Sequence, residues 1–431
     1  MKYYSLGGKA PEVSFKEAVI NGLAPDKGLY FPETITPLPQ DYWNNIENLE
    51  DQEIAFRAFL PFVEGSLSRE ELKRILIKVL DFPFPLIDLD KNTAILELFH
   101  GPTLAFKDVG ARFMANCMGV FSKNNEEEVT VLVATSGDTG GAVANGFLGV
   151  PGVRVVILYP SGKVSDIQER QLTTLGKNIH ALEVNGTFDD CQAMVKKAFL
   201  DTEITGKRKL TSANSINVAR WLPQMFYYLL AFKSLKKRNM PLVFSVPSGN
   251  FGNICAGMVA HKLGMPVKQF IAATNSNNTV PTYLETQRYE PKKSVSTISN
   301  AMDVGDPSNF VRIDTLFENK FQLLKDSLSS YSYTDTETKN AIKEVNSKFN
   351  YIMDPHGAVG YLGLKKYQRD HPNTLGVFLE TAHPVKFLQV VEETLKISIP
   401  LPSGIEELLL QKKTSKRIND YSELKAYLLE D

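Results

Sequence analysis

The chain has 431 residues, long enough for two or three domains that each bury a sizeable core. Its 48 basic and 49 acidic residues are well mixed and give a formal net charge of -1, which argues against a nucleic-acid or membrane partner. Cys117, Cys191 and Cys255 lie far apart in apolar patterns and no signal segment is evident, so we expect buried free thiols in a cytoplasmic protein.

The first 90 residues are predicted to form a separate small α+β domain. Tyr3 to Ser5 has the pattern of a short strand, and helices are predicted at about Ile54 to Phe62 and Arg69 to Leu80. The run Phe82 to Pro85 is typical of a linker. No residue before it suggests a chemical role.

One lysine follows this linker at an unusual place. Ala94 to Phe99 predicts a short buried strand, His100 to Thr103 breaks it, and a helical pattern then continues past Lys107. Apolar neighbours such as Phe106 and the positive end of a helix dipole both favour the neutral amine, which is the form that Schiff-base chemistry needs. An isolated lysine more often keeps its charge in water, so the rest of the chain decides between the two interpretations.

The pattern between the linker and residue 235 repeats strand, loop and helix. Val129 to Ala134, Val153 to Tyr159 and Ile179 to Val184 predict strands, and Thr135 to Gly141 predicts a tight loop. This alternation predicts a parallel sheet covered on both faces, with ligands bound beyond the carboxyl ends of its strands.

Two later loops have the composition of ligand sites. Ser212 to Asn217 precedes an apolar helix that carries Arg220, and the predicted strand Leu242 to Val246 leads into Pro247 to Asn253 and another helix. Glycines in the second loop let backbone amides converge on an anion at a helix N-terminus. A simple tight connection is equally common for one such loop, but three of them with the lysine favour a ligand site.

Other cofactor and catalytic classes do not fit the spacing. Gly137, Gly140 and Gly141 do not match the dinucleotide fingerprint, and no loop ends in the Gly-Lys-Ser/Thr of a nucleotide P-loop. The six histidines form no paired metal motif, and no serine occupies a nucleophile elbow. A cofactor with one phosphate and an aldehyde for a lysine remains, which describes pyridoxal phosphate.

Several segments together resemble the threonine synthase family, in its longer form with an extra N-terminal domain. They are His100 to Asp108, Ala134 to Gly140, Ser212 to Asn217, Val246 to Gly252, Ser299 to Asp303 and Thr381 to Pro384. The resemblance implies fold type II of the pyridoxal phosphate enzymes, the tryptophan synthase β type, with two α/β parallel-sheet domains and the small N-terminal domain. We expect domains at 1–90, 91–235 and 236–431, the last with a C-terminal helical tail.

The resemblance also implies roles around the cofactor. Lys107 would carry pyridoxal phosphate as a Schiff base and later move protons on the substrate. The cofactor phosphate would be held, chiefly by backbone amides, by Ser248, Gly249, Asn250, Phe251 and Gly252. Asp138 would lie beside the pyridine 3-hydroxyl, where many relatives of the fold have asparagine. Thr381 would lie opposite the pyridine nitrogen; an ordinary strand-end threonine is the alternative.

The implied substrate is O-phospho-L-homoserine, which would lose phosphate from Cγ and gain water at Cβ to give threonine, the last step of threonine biosynthesis. Residues expected to bind its carboxylate or phosphate are Thr135, Ser136, Lys163, Asn214, Ser215, Asn217 and Arg220. The alternatives are that Asn214 caps the helix and that Arg220 pairs with a surface acid. We expect a monomer or weak dimer.

Two other functions stay open at this point. A related pyridoxal phosphate lyase would dehydrate serine or threonine instead. A degenerate homologue would bind a ligand or partner without turnover, although the intact Lys107 and phosphate loop argue against it.

Overall fold

The computed structural model describes residues 1–122 and 127–430. Its N-terminal part consists of a three-stranded antiparallel sheet and four helices: β1 (Lys2–Ser5), β2 (Val13–Ser14), α1 (Phe15–Asn21), β3 (Tyr30–Pro32), α2 (Gln40–Asn45), α3 (Asp51–Val63) and α4 (Arg69–Val79). The predicted helices are confirmed. Capping boxes at Ser14 with Glu17 and at Ser68 with Glu71 explain where α1 and α4 begin.

The middle of the chain forms strand-and-helix repeats. Its elements are β4 (Leu86–Asp90), β5 (Thr93–Glu97), α5 (Lys107–Phe121), β6 (Val129–Ala134), α6 (Asp138–Phe147), β7 (Val153–Pro160), α7 (Asp166–Thr173), β8 (Ile179–Val184), α8 (Phe188–Leu200), α9 (Thr202–Thr205), β9 (Lys209–Ser212), α10 (Val218–Trp221) and α11 (Met225–Leu235). The three strands predicted here are confirmed. Pro223 interrupts the predicted long helix after Asn217 with a 3-10 turn between α10 and α11.

The last part repeats the pattern. Its elements are β10 (Leu242–Pro247), α12 (Gly252–Lys262), β11 (Gln269–Thr274), α13 (Thr279–Thr286), α14 (Phe310–Leu316), α15 (Phe321–Ser327), β12 (Leu328–Ser332), α16 (Asp335–Phe349), α17 (Pro355–Asp370), β13 (Leu375–Glu380), α18 (Leu388–Leu395), α19 (Ile405–Leu410), β14 (Lys416–Ile418) and α20 (Tyr421–Leu429). Helix α6 begins at Asp138, inside the segment Thr135 to Gly141 that was predicted as a loop. Its glycines pack closely on α7: a Cβ on Gly140 would lie 2.6 Å from a methyl of Leu172.

Two sheets carry the fold, as predicted. One has five parallel strands in the order β14-β8-β7-β6-β9, and the other has six strands in the order β12-β11-β10-β13-β5-β4. Only β4 runs antiparallel, against β5. Helices cover the sheets, and strands such as β6 are therefore buried along their whole length.

The sheets divide the chain differently from the predicted linear boundaries. Strand β5 precedes the lysine helix, yet it pairs with β13 of the six-stranded sheet, where Ala94 lies opposite Val377. Strand β14 returns from the C-terminal tail to pair with β8. A fully buried apolar strand such as β5 fits the interior of either sheet, so its composition does not specify its partner.

The N-terminal part packs directly against the rest of the molecule. The ring of Phe31 stacks on Trp221 with 6.1 Å between ring centroids, and the carbonyl of Val19 accepts a hydrogen bond from Asn217. The three cysteines are free and buried, as predicted. Within residues 1–122 and 127–430, no helix has the length and apolar character needed to cross a bilayer.

Candidate active site

The loop before α5 is joined by backbone hydrogen bonds to the end of β13. The amide of Phe106 donates to the carbonyl of Thr381 at 2.9 Å, and the amide of His383 donates to the carbonyl of Leu104 at 3.0 Å. Leu104 has a φ of 58°, which turns the chain sharply before α5. Lys107, the first residue of α5, is thereby brought beside Thr381 from the opposite part of the chain.

The amine of Lys107 has a mostly dry and partly charged environment. Its side chain is only 15% exposed, and its Nζ lies 3.9 Å from Asp138 Oδ2. Burial lowers the pKa of Lys107 to about 8, with further lowering by the cations Lys386 and Arg220 and a partial offset by Asp138. About a tenth of the amine is therefore neutral at pH 7, against less than a thousandth for an ordinary lysine.

The loop after β10 presents a row of unpaired backbone amides. Within the described part of the chain, the amides of Gly249, Asn250, Phe251 and Gly252 make no hydrogen bond. A Cβ on Gly249 would lie 2.7 Å from the carbonyl oxygen of Ala301, so only glycine fits there. Because these amides lie at the N-terminus of the eleven-residue helix α12, they form a ready anion site.

Ser248 differs from the other predicted members of this loop. Its amide donates to the carbonyl of Ala273 at 2.8 Å, and its hydroxyl donates to the carbonyl of Val246 at 2.8 Å. Both donors of Ser248 are thus used within the protein. The anion site consequently consists of the four amides that follow it.

Asp138 is buried at the start of α6 and is held by two polar side chains. Lys386 Nζ lies 2.8 Å from its Oδ1, and Gln168 Nε2 donates to the same oxygen at 2.9 Å. Burial opposes ionisation, but Lys386 and Lys107 together hold the pKa of Asp138 well below its usual range. Lys386 was not predicted from the sequence, because a lysine on a short segment after His383 and Pro384 has no periodic pattern that indicates burial.

One cavity of about 1100 Å³ takes in most of the predicted site residues. They are Lys107, Thr135, Ser136, Asp138, Asn214, Ser215, Arg220, Ser248, Gly249, Asn250, Phe251, Gly252 and Thr381. The loops Ser212 to Asn217 and Pro247 to Asn253 are joined here, since Asn250 Nδ2 donates to Ser215 Oγ at 2.9 Å. The predicted lysine and the predicted anion site therefore line the same space.

Arg220 is the buried cation of this cavity. It is 2% exposed, and among the described residues its Nε and Nη1 atoms have no hydrogen-bond partner. Burial lowers the pKa of Arg220 to about 10, so the side chain stays charged at neutral pH. Buried donors are normally paired, so this guanidinium is available to an anionic ligand. The alternative, a surface ion pair, does not occur.

Two predicted substrate residues lie elsewhere. Lys163 is exposed on the loop after β7, outside the lining that the described residues form around the cavity. Asn217 is buried behind it: its Nδ2 donates to Val19, and its Oδ1 accepts from the amide of Ala219 as the cap of α10. Capping is therefore done by Asn217 rather than by Asn214, whose Nδ2 donates to the carbonyl of Ala134.

His356 and Asp303 complete the cavity wall. His356 Nδ1 lies 2.5 Å from Asp354 Oδ1, and its Nε2 accepts from the amide of Ala301 at 3.2 Å. Thr297 Oγ1 donates to Asp303 Oδ1 at 2.7 Å, and burial raises the pKa of Asp303 to about 6. These contacts fix the segment that closes over Gly249.

The end of β13 places an uncharged hydroxyl in the cavity. Thr381 is 5% exposed and lines the cavity. Behind it, the fully buried Glu380 accepts from the amide of Asp354 at 2.5 Å. Burial and the nearby charge of Asp354 raise the pKa of Glu380 well above its usual value.

These groups fit pyridoxal phosphate. The cavity supplies a partly neutral amine at Lys107, four free amides for one phosphate, and a hydroxyl at Thr381. The clearance around Gly249 leaves room for an anion but not for a side chain. No metal or nucleotide is needed to account for these unpaired donors.

Three family models match the chain. A model described as pyridoxal-phosphate dependent enzyme matches residues 83–377. Models described as threonine synthase N terminus and threonine synthase, C-terminal, match residues 2–79 and 357–428. Together they account for nearly the whole sequence.

Individual relatives agree with these matches. The chain is 43% identical over 433 residues to threonine synthase from Buchnera aphidicola subsp. Baizongia pistaciae, with 100% of both chains covered. The crystal structure of threonine synthase from Escherichia coli superimposes with a TM-score of 0.93 at 41% identity, covering 100% of this chain and 99% of that one. The crystal structure of PLP-bound threonine synthase from Brucella melitensis superimposes with a TM-score of 0.92 at 34% identity, covering 99% of this chain and 98% of that one.

Proposed function

The chain belongs to the threonine synthase family of pyridoxal-phosphate-dependent enzymes, and from this premise we propose which residues perform each part of the reaction. The reaction converts O-phospho-L-homoserine and water into L-threonine and phosphate, the last step of threonine biosynthesis. The observation that carries the assignment is that the amine of Lys107 and the free amides of residues 249–252 line one cavity.

The cofactor is held at two ends. Lys107 would form the covalent attachment, and the amides of Gly249 to Gly252 would bind the cofactor phosphate at the N-terminus of α12. Asp138 and Thr381, which line the same cavity, would hold the ring. Pyridoxal phosphate, when bound, supplies an aldehyde carbon for the amine and a ring that accepts electrons from the adjacent substrate carbon.

Lys107 also moves protons. A pKa of about 8 lets its amine take up and give back a proton near neutral pH, as a general acid and base requires. We assign to Lys107 the proton transfers at Cα, Cβ and Cγ of the substrate.

Thr381 suits departure of phosphate from Cγ. Its hydroxyl, unlike a carboxylate, does not fix a proton on the ring nitrogen, so the ring draws fewer electrons away from Cβ. The raised pKa of the neighbouring Glu380 supports this assignment, because burial and Asp354 disfavour a negative charge behind Thr381.

The substrate is held by groups at the other end of the cavity. Ser136 and the loop amides around Thr135 bind its carboxylate at the start of α6. Arg220, with Asn214 and Ser215, binds its phosphate, since the guanidinium is buried, charged and without a protein partner among the described residues.

We further propose a monomer or weak dimer in the cytoplasm. The stacking of Phe31 on Trp221 supports this proposal, because the N-terminal part covers α10 and removes its surface from contact with a second copy. Three buried thiols are compatible with a reducing compartment. Light scattering across a concentration series measures the state of assembly directly.

One experiment separates this function from its alternatives. Purified protein with pyridoxal phosphate and O-phospho-L-homoserine should release threonine and phosphate in equal amounts. Release of an oxo acid and ammonia from serine or threonine, without threonine formation, would favour a dehydratase. A ligand-binding homologue would give neither product, although it would still bind the cofactor.

A further inference from the structure

A fully buried ammonium lies behind the proposed cofactor site. Lys386, in the 3-10 helix Pro384–Phe387, has a side chain with 0% exposure. Its Nζ lies 2.8 Å from Asp138 Oδ1 and donates to the carbonyl of Thr103 at 2.8 Å. A buried lysine is retained only where a partner offsets its desolvation, and here that partner is Asp138.

Asp138 is shared between two ammonium groups. Its Oδ1 is taken by Lys386 and by Gln168 Nε2, while its Oδ2 lies 3.9 Å from Lys107 Nζ. The remaining charged group that acts on Lys107 from a neighbouring element is Arg220 on α10. On the lysine helix itself, Asp108 is occupied by the amide and hydroxyl of Thr103.

We propose that Lys386 is a positioning residue whose ammonium neutralises Asp138 and holds its Oδ1, so that the pair acts on Lys107 and on the bound cofactor as a nearly neutral group. This proposal rests on the proposed role of Lys107. It explains how a buried carboxylate can lie 3.9 Å from the amine of Lys107: the ammonium of Lys386 offsets the negative charge of Asp138.

Replacing Lys386 and replacing Asp138 should shift the pKa of Lys107 in opposite directions. Removing Lys386 leaves a negative charge 3.9 Å from the amine, which favours the protonated form and raises its pKa by about one to three units. Replacing Asp138 with asparagine leaves Lys386 and Arg220 around Lys107, which disfavours the protonated form. Removing both Lys386 and Asp138 should return the pKa of Lys107 close to its wild-type value.

The test measures Lys107 in cofactor-free protein. Competitive acetylation with acetic anhydride, quantified on the Lys107 peptide by mass spectrometry against the exposed Lys339, gives the pH midpoint of its amine. We expect Lys386→Met to raise the midpoint by about one pH unit or more, which makes labelling about tenfold slower at pH 7. Asp138→Asn should lower the midpoint, the double variant should restore it, and Lys386→Arg should keep it.

The outcomes are distinct. A folded Lys386→Met protein with an unchanged midpoint would overturn the proposal. If Lys386→Met does not fold, the comparison of Asp138→Asn with the double variant decides: equal midpoints contradict the proposal, and a return towards wild type supports it. Failure of the proposed function appears separately, as borohydride-trapped cofactor on a residue other than Lys107 in the wild-type protein.

Discussion

The backbone amide of Phe106 and the carbonyl of Thr381 are joined by a 2.9 Å hydrogen bond. This bond links the start of the lysine helix to the end of β13, and together with the bond from His383 to Leu104 it forms an isolated antiparallel bridge between Ala105 and Ala382. The attachment lysine and the hydroxyl assigned to the ring nitrogen thus follow two segments that are joined directly by backbone hydrogen bonds.

Adding a methyl group at Gly249 should weaken cofactor binding. The new Cβ of Gly249→Ala would lie 2.7 Å from both the Ala301 carbonyl oxygen and Met302 Cα, so the amide row must shift. We expect a loss on the order of tenfold to a hundredfold in affinity for pyridoxal phosphate, measured by fluorescence titration of the cofactor-free protein. Gly119→Ala is the matched control, because its Cβ would meet only a methyl of Val150 at 3.6 Å. Equal affinities for the two variants would contradict the assignment.

Neutralising Arg220 should affect the phosphate end of the substrate. Arg220→Gln removes a buried charge whose Nε and Nη1 have no hydrogen-bond partner among the described residues, so we expect kcat/KM for O-phosphohomoserine to fall on the order of a hundredfold. Inhibition by inorganic phosphate should weaken in parallel, whereas the visible absorbance of the bound cofactor should persist. Arg112→Gln is the control, since Arg112 pairs with Asp81 on the surface. Undiminished phosphate inhibition in Arg220→Gln would argue against this subsite.

In the cofactor-free protein, Lys107 should lower the free energy of unfolding at neutral pH. Its pKa is about 8 when folded and 10.5 as an ordinary lysine, so the unfolded state binds more protons between these values. Stability therefore rises with pH from about 8 to 10.5. We expect Lys107→Met to raise the free energy of unfolding at pH 7 by up to about 3 kcal/mol, with the gain shrinking above pH 8.

Urea titrations of the cofactor-free proteins at pH 7, 9 and 10.5 provide this measurement. The exposed Lys339→Met serves as the control and should change stability little at any of these pH values. If Lys107→Met instead lowers the free energy of unfolding at pH 7, the charged form of Lys107 does not destabilise the folded protein, and the prediction is wrong.

Local patterns predicted most of the site but not its long-range pairs. The strand Val129–Ala134 and the loops that follow β6 and β10 were predictable, because apolar runs and glycine spacing are local signals. The partner of β5 was not, because a strand buried on both faces fits the interior of either sheet.

Single polar residues were the least predictable. The burial of Lys386 depends on its ion pair with Asp138, at the start of α6, and the spacing of residues along the sequence does not indicate this pair. Lys163 and Asn217 lie in loops of the expected composition. Lys163 is nevertheless exposed to solvent, and Asn217 caps α10 behind the cavity. Side-chain direction in such loops depends on backbone geometry that composition leaves free.

The most direct test of the account is to locate the cofactor chemically. Purified protein with bound pyridoxal phosphate is reduced with borohydride, digested and examined by mass spectrometry, with Lys107→Ala treated in the same way. If Lys107 is the attachment residue, we expect one reduced pyridoxyl group, carried by Lys107 in the wild-type protein and absent from the variant. A pyridoxyl group on any other lysine, or an unchanged yield in Lys107→Ala, would contradict it.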